Sequence, residues 1–262
     1  MSVCVPARNE AATIEATVTT LVELREHGAV DQVVVIDGAS TDGTALMAAE
    51  RGAEVHQQDD LLPQMGPALG KGDAMWRSLT VLDGEIVCFV DADSEDFGPR
   101  FACGVLGPVL FEDGVQYVKG FYRRPFKLGN VTAAEGGGRV TELTARPLLE
   151  AFYPELTDCR QPLAGEIAAR RSLLERLPWA TGYGVEIAQL IDVHRLVGVD
   201  AMAQVDLDVR QNQHQPLSAL RPMATAVTAA VAQRLVREGR LTSAPPVVER
   251  PPLRSLRVAV PE

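Results

Sequence analysis

Up to residue 93 the chain alternates short apolar runs with amphipathic stretches. Val3-Cys4-Val5 predicts a strand ended by Pro6. Ile14, Val18, Leu21 and Val22 then recur at helical spacing, with Asn9 as the expected N-cap and Gly28 as the stop. Val33 to Ile36 predicts a second strand running into Asp37, and a short helix over 43–51 closes at Gly52. A brief strand over 53–56, a helix over 73–82 and a strand over 86–90 complete the series. Near-continuous β-branched runs separated by helices indicate a mostly parallel sheet with helices on both faces, a Rossmann-like α/β fold.

Ligands of open α/β sheets bind beyond the carboxyl ends of the strands. Three polar clusters fall at that edge: Pro6-Ala7-Arg8-Asn9-Glu10, Asp37 to Asp42, and Asp91-Ala92-Asp93. Beyond Asp93 the pattern is less regular. Strands are expected over 115–121 and 201–209, and helices over 143–152, 185–196 and 217–238.

Composition narrows the partners. A net charge of −10 argues against broad nucleic-acid binding, which needs a basic face. Anionic substrates must therefore be met by local clusters of Lys and Arg. The cysteines Cys4, Cys88, Cys103 and Cys159 show no CxxC spacing, and Cys4 and Cys88 lie in strand-like runs, so buried free thiols in a reducing compartment are expected. No run approaches the roughly 18 apolar residues of a membrane span, and Met1 to Pro6 turns polar too soon for a leader. The expectation is a cytoplasmic protein with no membrane span.

Asp91 and Asp93 stand at i and i+2 after an apolar strand, so both carboxylates can face one cation. Hard ions such as Mg²⁺ and Mn²⁺ favour oxygen ligands and bridge to substrate phosphates. Asp37 is placed to accept from a base or ribose, whereas Thr41-Asp42 reads as helix capping. Gly70-Lys71-Gly72 is not a Walker loop, because Gly66 precedes Gly70 too closely and no hydroxyl follows. Lys71 can nevertheless reach a diphosphate from a helix start. Gly136-Gly137-Gly138-Arg139-Val140-Thr141 supplies pliable backbone, a bidentate cation and a hydroxyl, a phosphate site. Lys119, Arg123 and Arg124 add positive charge nearby in sequence, and His214 lies in a polar stretch where imidazole would complete a two-carboxylate metal site.

Together these motifs resemble the GT-A glycosyltransferase fold. Gly70-Lys71-Gly72, Phe121 to Pro125, Gly136 to Leu143, Gln161-Pro162-Leu163, Gly182-Tyr183-Gly184-Val185-Glu186 and Arg250-Pro251-Pro252 are similar to the glucosyl-3-phosphoglycerate synthase family, over nearly the whole chain. The resemblance implies metal-dependent transfer of glucose from UDP-glucose to the 2-hydroxyl of 3-phosphoglycerate, with retention. Transfer of another hexose such as mannose, or use of another acceptor, remains the alternative, with a sugar-1-phosphate nucleotidyltransferase and a silent nucleotide-sugar binder as weaker rivals. The resemblance also implies residue roles. Pro6, Ala7, Arg8, Asn9 and Glu10 with Asp37 and Gly38 would hold uridine. Lys71, Asp91 and Ala92 would contact the nucleotide sugar, and Tyr183, Gly184, Val185 and Glu186 the hexose, with Glu186, Asp93 and Lys71 as the catalytic set. Gly138, Arg139, Val140 and Thr141, with Arg210 and Asn212, would hold the acceptor. Where the family has a metal-binding histidine two residues after the arginine matching Arg210, this chain has Asn212, so Asp93 and His214 are the expected ligands of Mg²⁺ or Mn²⁺. On this reading residues 1–93 are the nucleotide-sugar half, 94–240 the acceptor half and 241–262 an extended tail, in a homodimer.

Overall fold

The computed structural model describes residues 1–128, 131–133, 137–211 and 216–257. Its first half runs β1 (Ser2–Ala7), α1 (Ile14–Glu26), β2 (Gln32–Asp37), α2 (Thr44–Glu50), β3 (Glu54–Gln57), α3 (Lys71–Ser78), β4 (Ile86–Phe89) and α4 (Arg100–Phe111). Next come β5 (Tyr117–Arg123), a hairpin of β6 (Phe126–Leu128) and β7 (Val131–Ala133), α5 (Arg146–Phe152), β8 (Ile167–Arg170), α6 (Arg171–Leu174) and β9 (Trp179–Ala180). The chain continues through α7 (Val185–Val197), β10 (Met202–Val209), α8 (Leu217–Arg237), β11 (Glu249–Arg250) and α9 (Leu253–Arg257).

Among the described residues seven strands form the main sheet, in the order β10-β5-β8-β4-β1-β2-β3. All neighbours are parallel except β8, which runs antiparallel to both β4 and β5. The apolar runs explain the two covered faces. Alternate residues of a strand point to opposite sides, and here Cys4, Val34, Ile36, Val87 and Phe89 join one buried cluster while Val3, Val5, Val33, Val35 and Cys88 join the other. This is the mostly parallel, doubly covered sheet that the strand pattern anticipated, and it agrees with the GT-A fold that the resemblance implied.

Several local expectations shift. Asn9 does not cap α1, which starts at Ile14 with Thr13 at the cap. Asn9 instead adopts a left-handed φ of 56° and accepts the Thr41 N–H at 2.9 Å, tying two edge loops together. The helix expected over 143–152 begins as a π-helical turn, Thr141–Ala145, and becomes α-helical at Arg146. Pro147, which has no N–H to donate, stands just after this π-helical turn, where the regular α-helical ladder is already interrupted. The sequence pattern assigned no element over α4, which holds Gly104, Gly107 and Pro108, residues that disfavour a helix interior. Gly104 is needed because a Cβ there would stand 2.6 Å from a Leu207 methyl. Nor is the C-terminal stretch loose throughout: β11 pairs antiparallel with β9, and α9 packs Leu253 into the core. Cys4, Cys88 and Cys159 are buried free thiols and Cys103 is exposed. Burial raises the Cys4 thiol to about 12, so it is inert.

Candidate active site

The carboxyl edge of the sheet opens onto a cleft of about 720 Å³. β1 delivers Pro6, Ala7, Arg8 and Glu10 to its wall, and the turn after β2 adds Gly38. β4 delivers Asp91, Ala92 and Asp93, and β10 ends at Val209 so that Arg210 follows directly. Because β8 is antiparallel, its beginning lies at this same edge. Ile167 is level with Phe89 in the sheet, which brings Gly165 and Glu166 beside the residues after β4.

Two cations organise the carboxylates. Lys71, the first residue of α3, places Nζ 2.5 Å from Asp91 Oδ1 and 2.8 Å from Glu186 Oε1 in the first turn of α7. Arg210 is 2% exposed. One terminal nitrogen donates to Asp91 Oδ2 at 2.9 Å, to Glu166 Oε1 at 2.8 Å and to the Tyr122 hydroxyl oxygen at 2.7 Å, and the other donates to Asp93 Oδ1. Asp91 is thus gripped from both sides. A Cβ at position 165 would come within 2.1 Å of Asp91 Oδ1, so only glycine fits behind that carboxylate.

Charge states follow from these contacts. Burial disfavours the Asp91 carboxylate, but Lys71 and Arg210 outweigh it and hold the carboxyl well below its ordinary range. Burial likewise opposes the Lys71 ammonium, and Asp91 with Glu186 overcomes it, so Lys71 stays protonated well above its ordinary value. Lys71 is therefore a fixed cation and not a base. Glu166, 1% exposed, is pushed upward by burial against the pull of Arg210, and its Oε2 has no hydrogen-bond partner. At the cleft's rim Glu10 is raised to about 7 by burial and by the carboxylates of Asp93, Asp91 and Asp42.

The residues expected from sequence fall into three groups. Gly138, Arg139, Val140, Thr141, Tyr183 and Glu186 line the cleft with the β1 and β4 residues already named. Asn9, Asp37, Gly184 and Val185 do not reach its wall. Asp37 lies buried beneath Gly38, where Oδ2 accepts the Ser40 N–H at 3.0 Å and Oδ1 has no partner. Val185 is core, and Gly184 packs against Ala226 and Ala230 of α8. Asn212 and His214 lie outside the described residues. Asp42 proves structural, accepting from Thr44 and from the Ala11 N–H at 3.0 Å. Lys119 adds no charge to the surface: it is buried, donates to the Ala164 carbonyl at 2.7 Å, and burial pulls its pKa down. Arg123 is exposed and pairs with Asp208, whereas Arg124 lines the cleft.

Sequence reasoning passed over Glu166 and Tyr122 as functional residues. A signal for Glu166 existed, an acidic residue abutting the apolar run Ile167-Ala168-Ala169, as Asp37 and Asp91 abut theirs. It precedes its strand instead of following it, and only the reversed direction of β8 brings it to the site.

The donor set suits a hard divalent cation. Asp93 is 44% exposed at the cleft mouth, and the crowding that raises Glu10 is an anionic surplus a cation would relieve. One or two carboxylates plus substrate phosphates and water meet the usual requirement of Mg²⁺. Among the described residues no group of three or more His, Cys, Asp or Glu side chains converges on one point.

Comparison with known proteins fits this geometry. The family model described as glycosyl transferase family 2 matches residues 2–101. Glucosyl-3-phosphoglycerate synthase of Mycolicibacterium smegmatis is 47% identical over 234 residues, 89% of this chain and 77% of that protein. The crystal structure of mannosyl-3-phosphoglycerate synthase from Rubrobacter xylanophilus matches with a TM-score of 0.91 at 44% identity, covering 97% of this chain and 90% of that one. Glucosyl-3-phosphoglycerate synthase from Mycobacterium tuberculosis, in complex with Mn²⁺, UDP-glucose and phosphoglyceric acid, matches with a TM-score of 0.87 at 43% identity, over 98% and 90% of the two chains. Among the described residues no helix is long and apolar enough to cross a membrane.

Proposed function

Because this chain belongs to the glucosyl-3-phosphoglycerate synthase family, we propose that it transfers glucose from UDP-glucose to the 2-hydroxyl of 3-phosphoglycerate, with retention at the anomeric carbon. The chain is a glycosyltransferase, and what supports the specific reaction is one observation. The Lys71–Asp91–Glu186 cluster and the Arg139–Thr141 turn face a single cleft, so a cation for a leaving diphosphate and a cradle for an anionic acceptor share one space.

In this reaction the bond from C1 to the β-phosphate oxygen breaks and negative charge grows on the departing UDP. The acceptor 2-hydroxyl adds to C1 from the same face and gives its proton to that phosphate. Asp93 and His214 would hold a divalent cation, Mg²⁺ or Mn²⁺, which would supply Lewis-acid stabilisation of the leaving charge. Lys71, protonated throughout, turns its ammonium toward the same phosphate. Glu186 holds Lys71 and hydrogen-bonds the hexose, beside Tyr183. Asp37 acts from behind the wall: its Oδ2 accepts the Ser40 N–H and fixes the turn that presents Gly38 to the nucleoside. Arg139 and Thr141 take the acceptor phosphate and carboxylate. Release of UDP on mixing the protein with UDP-glucose, 3-phosphoglycerate and Mn²⁺ tests the reading, and no phosphoglycerate-dependent release would overturn it. The likeness to the Rubrobacter mannosyl enzyme favours transfer of mannose as the second reading, and the same assay with a nucleotide-mannose donor separates the two. The family resemblance also carries the proposal of a cytoplasmic homodimer, open to test by sedimentation.

Arg139→Ala is expected to raise the KM for 3-phosphoglycerate by roughly tenfold to a hundredfold, the loss of one charge-assisted bond to phosphate. The KM for UDP-glucose should hardly move. A rise in donor KM with unchanged acceptor KM would mean that this turn holds the other substrate.

The metal shell has its own test. Asn212 stands where the family has histidine, and an amide oxygen is a poorer ligand for Mn²⁺ than imidazole. His214→Ala should therefore raise the Mn²⁺ concentration needed for half-maximal activity, whereas Asn212→Ala should leave it unchanged. The reverse pattern would put Asn212 on the ion and His214 elsewhere.

A further inference from the structure

Glu249 and Arg250, the two residues of β11, send their side chains to opposite sides, as alternation along an extended strand requires. Glu249 pairs with Arg234 of α8 at 2.7 Å and with Arg237 one turn on. Arg250 turns the other way, to the two oxygens of Asp73 at 2.8 and 2.7 Å. Asp73 is 0% exposed and also accepts from Arg77 and from the Leu69 N–H. From this buried carboxylate two guanidinium groups reach out to the carbonyls of the segment before α3. Arg250 donates to Met65 at 2.8 Å, and Arg77 donates to Leu61 and, at 2.6 Å, to Gly66.

That segment, 58–70, holds two single-turn 3₁₀ helices joined by bends. Its shape therefore depends on the side chains that bind its carbonyls, more than on a regular ladder of its own. Gln58, Ala68, Leu69 and Gly70 face the cleft directly before Lys71. Leu220, Met223 and Val227 of α8, the helix that Glu249 grips, line the same cleft. One short strand thus ties together two elements that line the cleft.

We propose that β11 is a strap setting the separation of the donor-side wall from α8, and that Arg250 is a positioning residue for the sugar nucleotide. The proposal rests on the reading above that this half of the cleft takes UDP-glucose. Arg250 touches no substrate; it acts through Asp73, Met65 and the start of α3. A reporter is built in. The Arg250 guanidinium stands 5.6 Å from the centre of the Trp76 ring, and Trp76 Nε1 donates to the Pro251 carbonyl at 3.0 Å.

The test compares full-length Arg250→Ala and Arg250→Lys with the parent in three readouts: KM for each substrate, calorimetric binding of UDP with Mn²⁺, and tryptophan emission. Donor KM should rise roughly tenfold or more, as remote misplacement of a wall can do, while acceptor KM stays within about twofold. UDP binding should weaken in parallel and the emission should shift. Added methylguanidinium should restore donor binding to Arg250→Ala. Equal rises in both KM values, a fall in kcat alone, or no change overturns the proposal, since a merely structural role predicts one of these. If Arg250→Ala does not fold, Arg250→Lys decides, because it keeps the charge and loses the forked grip on Asp73 and Met65. A parent protein that binds no UDP overturns the donor reading and the strap together; normal parent binding with unaltered variants overturns the strap alone.

Discussion

A folded Asp93→Ala protein is expected to lose transferase activity by on the order of a thousandfold, the scale of removing a principal stabiliser of leaving-group charge. Its thermal midpoint should stay near the parent's. The physical grounds lie in where Asp93 sits. It is at the sheet's edge, with nearly half of its side chain in solvent, so truncation opens no cavity. Arg210 loses one of its partners but keeps Asp91, Glu166 and Tyr122. Folding is largely indifferent to this carboxylate and catalysis is not. Initial rates over a Mn²⁺ series, beside a melting curve, check both halves. Wild-type-like turnover by the variant, or full activity of the parent in excess EDTA, sinks the metal mechanism.

Arg210→Ala should behave in the opposite way, costing stability as well as activity. Removing one member of a buried ion cluster costs about 3–5 kcal/mol, because the remaining charges are left uncompensated. Here they are Glu166 and Asp91. The pH dependence should identify Glu166 as the main source. Its folded pKa is raised by burial, so a protonated Glu166 is tolerated in the folded state and the ionised form costs stability as pH rises through that pKa. Arg210 offsets the cost in the parent. Without it the folded pKa rises further, and the penalty should be largest at pH 8 and smaller at pH 5, where the carboxyl takes up a proton. Asp91 does not reverse the trend. Its depressed pKa confers stability above the ordinary carboxylate range that is lost only as pH falls well below it, outside this window. Urea titrations of both proteins at the two pH values give the difference directly. An equal loss at pH 5 and pH 8 would remove Glu166 from the account.

What the sequence disclosed followed the direction of the chain. The parallel strands announce themselves twice, by an apolar run and by a carboxylate or turn just after it. Asp37 and Asp91 were therefore legible as edge residues, and Lys71 by its place at a helix start. Glu166 escaped because a reversed strand puts the informative residue before the run, and pairing direction is a tertiary fact. Helix α4 escaped for a different reason. Its Gly104 is explained by packing against Leu207, a residue about a hundred positions away, so local propensity disfavours helix where the packed structure has one. Asn9 was assigned to the wrong partner for the same cause: its contact, Thr41, belongs to a neighbouring loop. The hub at Asp73 has no local signature, since Arg250 reaches it from the far end of the chain.

The reversed strand also dictates an order of assembly. β1, β2, β3 and β4 can pair among themselves as soon as residue 89 exists, since their contacts all lie within that span. β5 cannot join them alone, because its seat beside β4 is taken by β8, which appears only at residues 167–170. A growing chain therefore carries β4 with an unpaired edge through the synthesis of some eighty further residues, and such an edge invites pairing with other chains. The carboxylates at the end of β4 meet their counter-charge later still, when Arg210 arrives behind β10. A polypeptide interrupted before residue 167 has the strands that present Asp91 and Asp93 but neither the strand that pairs with β4 nor the arginine that holds the two carboxylates, and it is expected to be prone to aggregation or proteolysis.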